Sequence, residues 1–148
     1  ELGVTKGSFY WHFKNRRDYI ESLANYWNHI VHEELEAQAS DLHDDLKDQM
    51  VFIIREALTR KLTSYDAAMQ MLMHKEPYIA PIVTSGFNRR LSFVHHLLSE
   101  MGFKGVELEL RKHLLISYFL LDAALIDQSS LKQRLKKALN MLEFITAK

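Results

Sequence analysis

The sequence predicts an all-α fold, and three observations carry that reading. The chain has only two prolines and five glycines in 148 residues, so long stretches contain no helix breaker. Apolar residues recur at spacings of three and four along most of it. No segment alternates apolar and polar residues as a half-buried strand would, and no repeat or low-complexity segment appears.

The elements follow in order. "ELGV" reads as the end of one helix, with Gly3 as its terminating residue and Val4 as an apolar plug. Thr5 can cap a short helix from about Lys6 to His12. Asn15 then caps a long helix from about Arg16 to Gln38, with Asp18 in its favourable first turn. Its inward stripe is Ile20, Leu23, Trp27, Ile30 or Val31, and Leu35. Ser40 or Asp41 can cap the next helix, which carries Met50, Ile53, Ile54 and Leu58 on its apolar side. Ser64 can cap a further short helix with Ala67, Ala68, Met71 and Leu72. Pro77 and Pro81 interrupt the chain, and Pro81 can sit in the first turn of the helix that follows and stops at Gly102. Residues from about Val106 to Ile126 form a helix that is apolar nearly all round from Leu114 onward, and "DQSS" (127–130) is the next turn. The last helix presents Leu131, Leu135, Ala138, Leu142 and Ile145 at alternating spacings of four and three, a narrow seam.

The two terminal helices predict a homodimer. The first has more apolar surface than one core can use, and the second offers its seam, so a pair from each subunit can build a four-helix bundle. The expected interface residues are Leu114, Tyr118, Leu121, Asp122 and Leu125 on one helix, and Leu131, Leu135, Ala138, Leu142 and Ile145 on the other.

Composition narrows the function. There is no cysteine, which excludes disulfides and cysteine zinc sites and fits a reducing, cytoplasmic setting. No signal-peptide pattern is found, and the longest apolar run, residues 114–126, is too short to span a bilayer. Formal net charge is zero, but residues 1–20 hold Lys6, Lys14, Arg16 and Arg17 against Glu1 and Asp18, whereas residues 33–48 are strongly acidic. Only the first end is suited to a polyanion.

That end contains "GVTKGSFYWHF", residues 3–13. On a helix Phe9 and Phe13 share one face and make a small core with Leu2 and Val4. Tyr10, Trp11 and His12 fan off that face, because successive helix positions turn by roughly 100°. Gly7 and Ser8 lie near the helix start, where backbone can approach another surface, and Lys6, Lys14 and Arg16 flank the exposed rings. A helix, a glycine-containing turn and a second short helix make a helix-turn-helix, whose second helix reads the DNA major groove.

The stretch "LGVTKGSFYWHFKNRRDYIESL" (2–23) resembles the turn, recognition helix and following helix of the tetracycline-repressor-like (TetR) transcriptional regulators. The resemblance implies that the family's first helix and nearly all of its second would precede Glu1. It implies the end of a helix-turn-helix DNA-binding domain over residues 1–15 and a helical regulatory domain for ligand binding and dimerisation over 16–148. Thr5, Lys6, Tyr10, His12, Lys14 and Arg16 would hold phosphates; Gly7, Ser8 and Trp11 would lie nearest the bases; Val4, Phe9 and Phe13 would be structural. Trp11 stands where the family commonly has Tyr, and keeps a single N–H donor. The implied function is a homodimeric regulator, a repressor released from double-stranded operator DNA by a small-molecule effector.

An apolar or aromatic effector would want large, adaptable side chains around it, and Trp27, Phe52, Met69, Met73, Tyr78, Phe93, His96 and Tyr118 are candidates on the inner helices. No bound metal or cofactor is expected, since none of the eight histidines has a glutamate three residues before it. No nucleophile–base spacing, Gly-rich phosphate loop or paired carboxylates suggest an enzyme. The alternative is a dimeric helical small-molecule-binding module with no DNA-binding activity.

Overall fold

The computed structural model describes residues 11–124 and 129–147, with only the backbone of residues 122–124. The described residues are helical apart from short links. Among the described residues, the α-helices are α1 (Arg16–Asn28), α2 (Leu35–Leu42), α3 (Leu46–Thr59), α4 (Leu62–Lys75), α5 (Ala80–Glu100), α6 (Gly105–Ala124) and α7 (Leu131–Thr146). No described helix is long and apolar enough to cross a membrane.

Asn15 caps α1 as its side chain predicts, accepting from the Asp18 amide at 2.9 Å. Asp18 returns the bond by accepting from the Lys14 amide at 2.9 Å, so both ends of this first turn are satisfied. The chain does not stop at Gln38. It passes without a break through a π-helical stretch, His29–Glu34, into α2, and turns only at His43, whose backbone is extended. Ser40 and Asp41 therefore lie inside α2 rather than capping the next helix. The cap of α3 is Asp45, which accepts from the amides of Lys47 (2.8 Å) and Asp48 (3.0 Å). Ser64 is no cap either. α4 begins two residues earlier, after Lys61 in the left-handed region (φ 56°), and the Ser64 hydroxyl donates back to the Lys61 carbonyl at 2.7 Å.

Pro77–Ile79 form one 3₁₀ turn, and Pro81 sits in the first turn of α5. Gly102 (φ 97°) ends the segment after α5, a geometry that suits glycine. α7 opens with a capping box between Ser130 and Gln133.

Among the described residues, two apolar clusters make the core. One joins α1, the π stretch, α2, α4 and the start of α5 through Ile20, Ala24, Trp27, Leu35, Met69 and Val83. The other joins α3, the second half of α5, α6 and α7 through Ile54, Leu98, Leu115, Ala138, Leu142 and Ile145. α5 runs through both.

This arrangement corrects the expected dimer seam. Ala138, Leu142 and Ile145 are at most 1% exposed, because α7 lays its seam against α3 and α6 of its own chain. Leu135 and Tyr118 also pack against that core. Leu114, Leu121 and Leu131 are exposed; the Asp122 side chain and Leu125 lie outside the described residues. The apolar surface left open on α6 is the row Val106, Leu110, Leu114 and Leu121, spaced as one helical face.

Candidate ligand cavity and DNA-facing end

A cavity of about 90 Å³ opens where the two clusters meet. Its apolar wall includes Val31 and Leu35 from one cluster and Met50, Ile54, Leu97 and Leu115 from the other. Its polar side is formed by His32, Glu36, Thr63, Asp66 and Arg90.

The polar side is built around Asp66 on α4, a carboxylate only 2% exposed. Arg90 on α5 donates to both of its oxygens, at 2.8 and 3.0 Å, and the Trp27 indole N–H adds a third bond at 3.1 Å. A fork-shaped guanidinium against a buried carboxylate fixes orientation as well as charge. The three residues thereby tie α1, α4 and α5 together at the cavity edge.

His32 is buried (1% exposed) and stands edge-on to Trp27, with ring centroids 5.1 Å apart. It lies in the π stretch, where it and its neighbour Val31 are both buried. Burial, reinforced by the charges of Arg90 and Arg89, pushes its imidazole down to about 3. His32 Nε2 and Asn28 Oδ1 are both buried and, among the described residues, have no hydrogen-bond partner. Both face Gly86: a Cβ built there would stand 3.0 Å from the first and 2.9 Å from the second. α5 can approach this part of the rod only because position 86 lacks a side chain.

The sign of the histidine effect is definite. An imidazole in the unfolded chain protonates near 6.5, whereas that of His32 stays neutral down to about 3. Between those values the unfolded chain binds the extra proton, so stability falls as pH drops, by up to about 1.4 kcal/mol per unit. Replacement His32→Leu is therefore expected to flatten the acid side of the stability profile in urea melts between pH 7 and pH 4. An unchanged slope would show that another group sets it.

Of the eight residues expected around an effector, only Phe93 lines this cavity. Trp27 and Met69 belong to the first cluster, and Phe52, Met73 and Tyr78 pack against it. Tyr118 packs against the second cluster, and His96 is exposed to solvent. Trp27 contributes indirectly, by holding Asp66. His32, Asp66 and Arg90 were not singled out as ligand-binding residues, since polar side chains scattered over three helices carry no short-range pattern. Among the described residues no group of three or more His, Asp or Glu is placed to hold a metal ion.

At the other end of the rod, Thr5, Lys6, Gly7, Ser8 and Tyr10 lie outside the described residues. Trp11 is 86% exposed, and His12, Lys14 and Arg16 are also exposed. Phe13 is half-buried, its ring edge-on to Tyr19 at 5.0 Å. Arg16 is held in an ion pair with Glu76, at the end of α4, and that guanidinium keeps the Glu76 carboxyl below the usual carboxylate range. Arg17 lies over the Tyr78 ring at 4.6 Å. The start of α1 is thus pinned to the segment between α4 and α5.

Fold and cavity together define an all-helical protein with a largely apolar internal cavity joined by one long rod to an exposed aromatic and basic end. No family model, curated protein or solved structure matches the chain.

Proposed function

We propose that the protein is a homodimeric transcriptional regulator of the tetracycline-repressor-like type, acting in the cytoplasm as a repressor whose hold on operator DNA is released by a small molecule. The observation that carries this reading is the residue 2–23 motif, whose exposed Trp11, His12 and Lys14 precede the same unbroken rod that brings Val31, His32 and Leu35 to the cavity. A ligand that favours one placement of the π stretch would tilt the start of α1. Two recognition helices must meet half-sites roughly 34–36 Å apart, so a modest tilt breaks simultaneous docking. The ligand must bind the two placements with different affinity to do this. The partner subunit would cover the open row Val106, Leu110, Leu114 and Leu121 on α6. No catalytic role is proposed.

A second reading, a ligand-binding dimer without DNA-binding activity, is favoured by one contact. The Arg16 guanidinium already has a carboxylate partner in Glu76, so a DNA phosphate must compete for it.

The two readings separate on Trp11→Ala and Lys6→Ala. In the intact protein, Trp11→Ala is expected to weaken operator binding by about 1–2 kcal/mol, roughly tenfold. Lys6→Ala should lower the salt dependence by about one released counterion. Both should leave the dimer unchanged in analytical ultracentrifugation. Loss of the dimer, or operator binding indifferent to both changes, would count against the proposed DNA-facing surface.

A further inference from the structure

We propose that an open groove between α3 and the first half of α7 binds a free single-chain amphiphile with an anionic head, of the medium-chain fatty carboxylate class. The site is separate from the internal cavity and does not depend on the DNA-binding reading.

The first supporting feature is an apolar track of suitable size. The groove has a volume of about 510 Å³, within the range of roughly 300–1,000 Å³ usual for small-molecule sites. Its floor is Leu131, Leu135 and Leu139, one every four residues along one side of α7. Leu131 is 42% exposed, and Leu135 and Leu139 are only partly covered by the second cluster. From the first to the last of them the helix rises about 12 Å, the extent of an alkyl chain of roughly ten carbons.

The second feature is an unmatched positive rim. Arg55 from α3 and Lys132 and Lys136 from α7 line the groove, and all three are exposed. Among the described residues none of them has a hydrogen-bond or ion-pair partner through its side chain, and no acidic side chain lines the groove. At the other end of the same helix pair the charges are matched, Lys47 of α3 donating to Glu143 of α7 at 2.7 Å. Lys132 also lies in the first turn of α7, which holds no acidic residue and where the helix's own partial positive charge disfavours a cation. A carboxylate head beside this rim relieves that repulsion while its chain covers the leucines.

The third feature excludes other occupants. A stable protein partner covers about 20–30 residues a side, whereas seven line this groove. A second copy packed here about a two-fold axis would set the same cations against one another. A nucleic-acid phosphate would use the rim but leave the leucine track in water.

The test follows the amide NMR spectrum of the intact protein at neutral pH during titration with decanoate, hexanoate, decanol and decyltrimethylammonium. Decanoate is expected to shift the amides around Arg55 and from Leu131 to Asn140. It should bind roughly tenfold more tightly than hexanoate and roughly fivefold more tightly than decanol. The advantage over decanol should shrink as salt is raised. The combined change Arg55→Gln, Lys132→Gln and Lys136→Gln should abolish that advantage while decanol still binds, and Leu131→Ser should weaken both ligands. All four sites are exposed, so an unchanged thermal melt is expected. Shifts centred on the internal cavity, decanol or the ammonium binding as tightly as decanoate, no binding at all, or a triple variant that keeps the preference would overturn the proposal. Sedimentation with phosphatidylglycerol vesicles separates a free amphiphile from a membrane surface. Protein that pellets with the vesicles yet shows no shift with decanoate would overturn it as well.

Discussion

Asp66→Ala is expected to destabilise the protein by about 3–5 kcal/mol, read as a drop in the urea midpoint at unchanged slope. The change strips Arg90 of both its bonds and leaves a guanidinium whose side chain is only 16% exposed. It also orphans the Trp27 indole N–H, which is buried with that residue. An uncompensated charge away from water costs far more than the net value of the ion pair. The same physics predicts partial rescue. Replacing both partners, as in Asp66→Leu with Arg90→Met, removes the stranded charge and should recover much of the loss. A double variant no more stable than Asp66→Ala alone would show that the triad positions the three helices in some further way.

Gly86→Ala is the second large effect, and its sign is diagnostic. Helix propensity alone favours alanine over an internal glycine by about 1 kcal/mol. At position 86, however, the new Cβ would stand 2.9 Å from Trp27 Cζ3, 2.9 Å from Asn28 Oδ1 and 3.0 Å from His32 Nε2. Two of these atoms belong to rings in a packed core, where they cannot rotate away. The expected result is a destabilisation of about 1–3 kcal/mol in thermal or urea melts. A more stable Gly86→Ala protein would mean that the rod and α5 are less closely packed than described.

Much of the scaffold was legible in local patterns. The Asn15 cap, the break at Pro77, the placement of Pro81 and the stop at Gly102 follow from what those residues can and cannot do with the backbone. The caps at Ser40 or Asp41 and at Ser64 were misplaced because residues able to cap occur in runs. Asp41, Asp44 and Asp45 compete for one role, and only tertiary packing selects Asp45. The π stretch left a trace in the spacing, which could not decide between Ile30 and Val31. A uniform α period has no place for an extra residue in the turn, and the structure buries Val31 while Ile30 is half-buried.

The cavity was the least legible part. Large side chains at helical spacing mark where cores are, and most of those singled out fill core. A cavity marks where two cores fail to meet, which depends on how α3, α5 and α6 are juxtaposed. The seam on α7 shows the same limit. Its period correctly indicates a packed face, but period alone does not say whether the surface opposite belongs to the same chain.

The central claim, that this protein grips operator DNA as a dimer, is tested most directly by one titration. The intact protein is added to DNA from its own promoter region, and to unrelated DNA, at two salt concentrations. The account predicts tight binding to the promoter DNA that weakens steeply with salt, and a two-fold symmetric footprint. Equal affinity for both DNAs, or a footprint without two-fold symmetry, would contradict it.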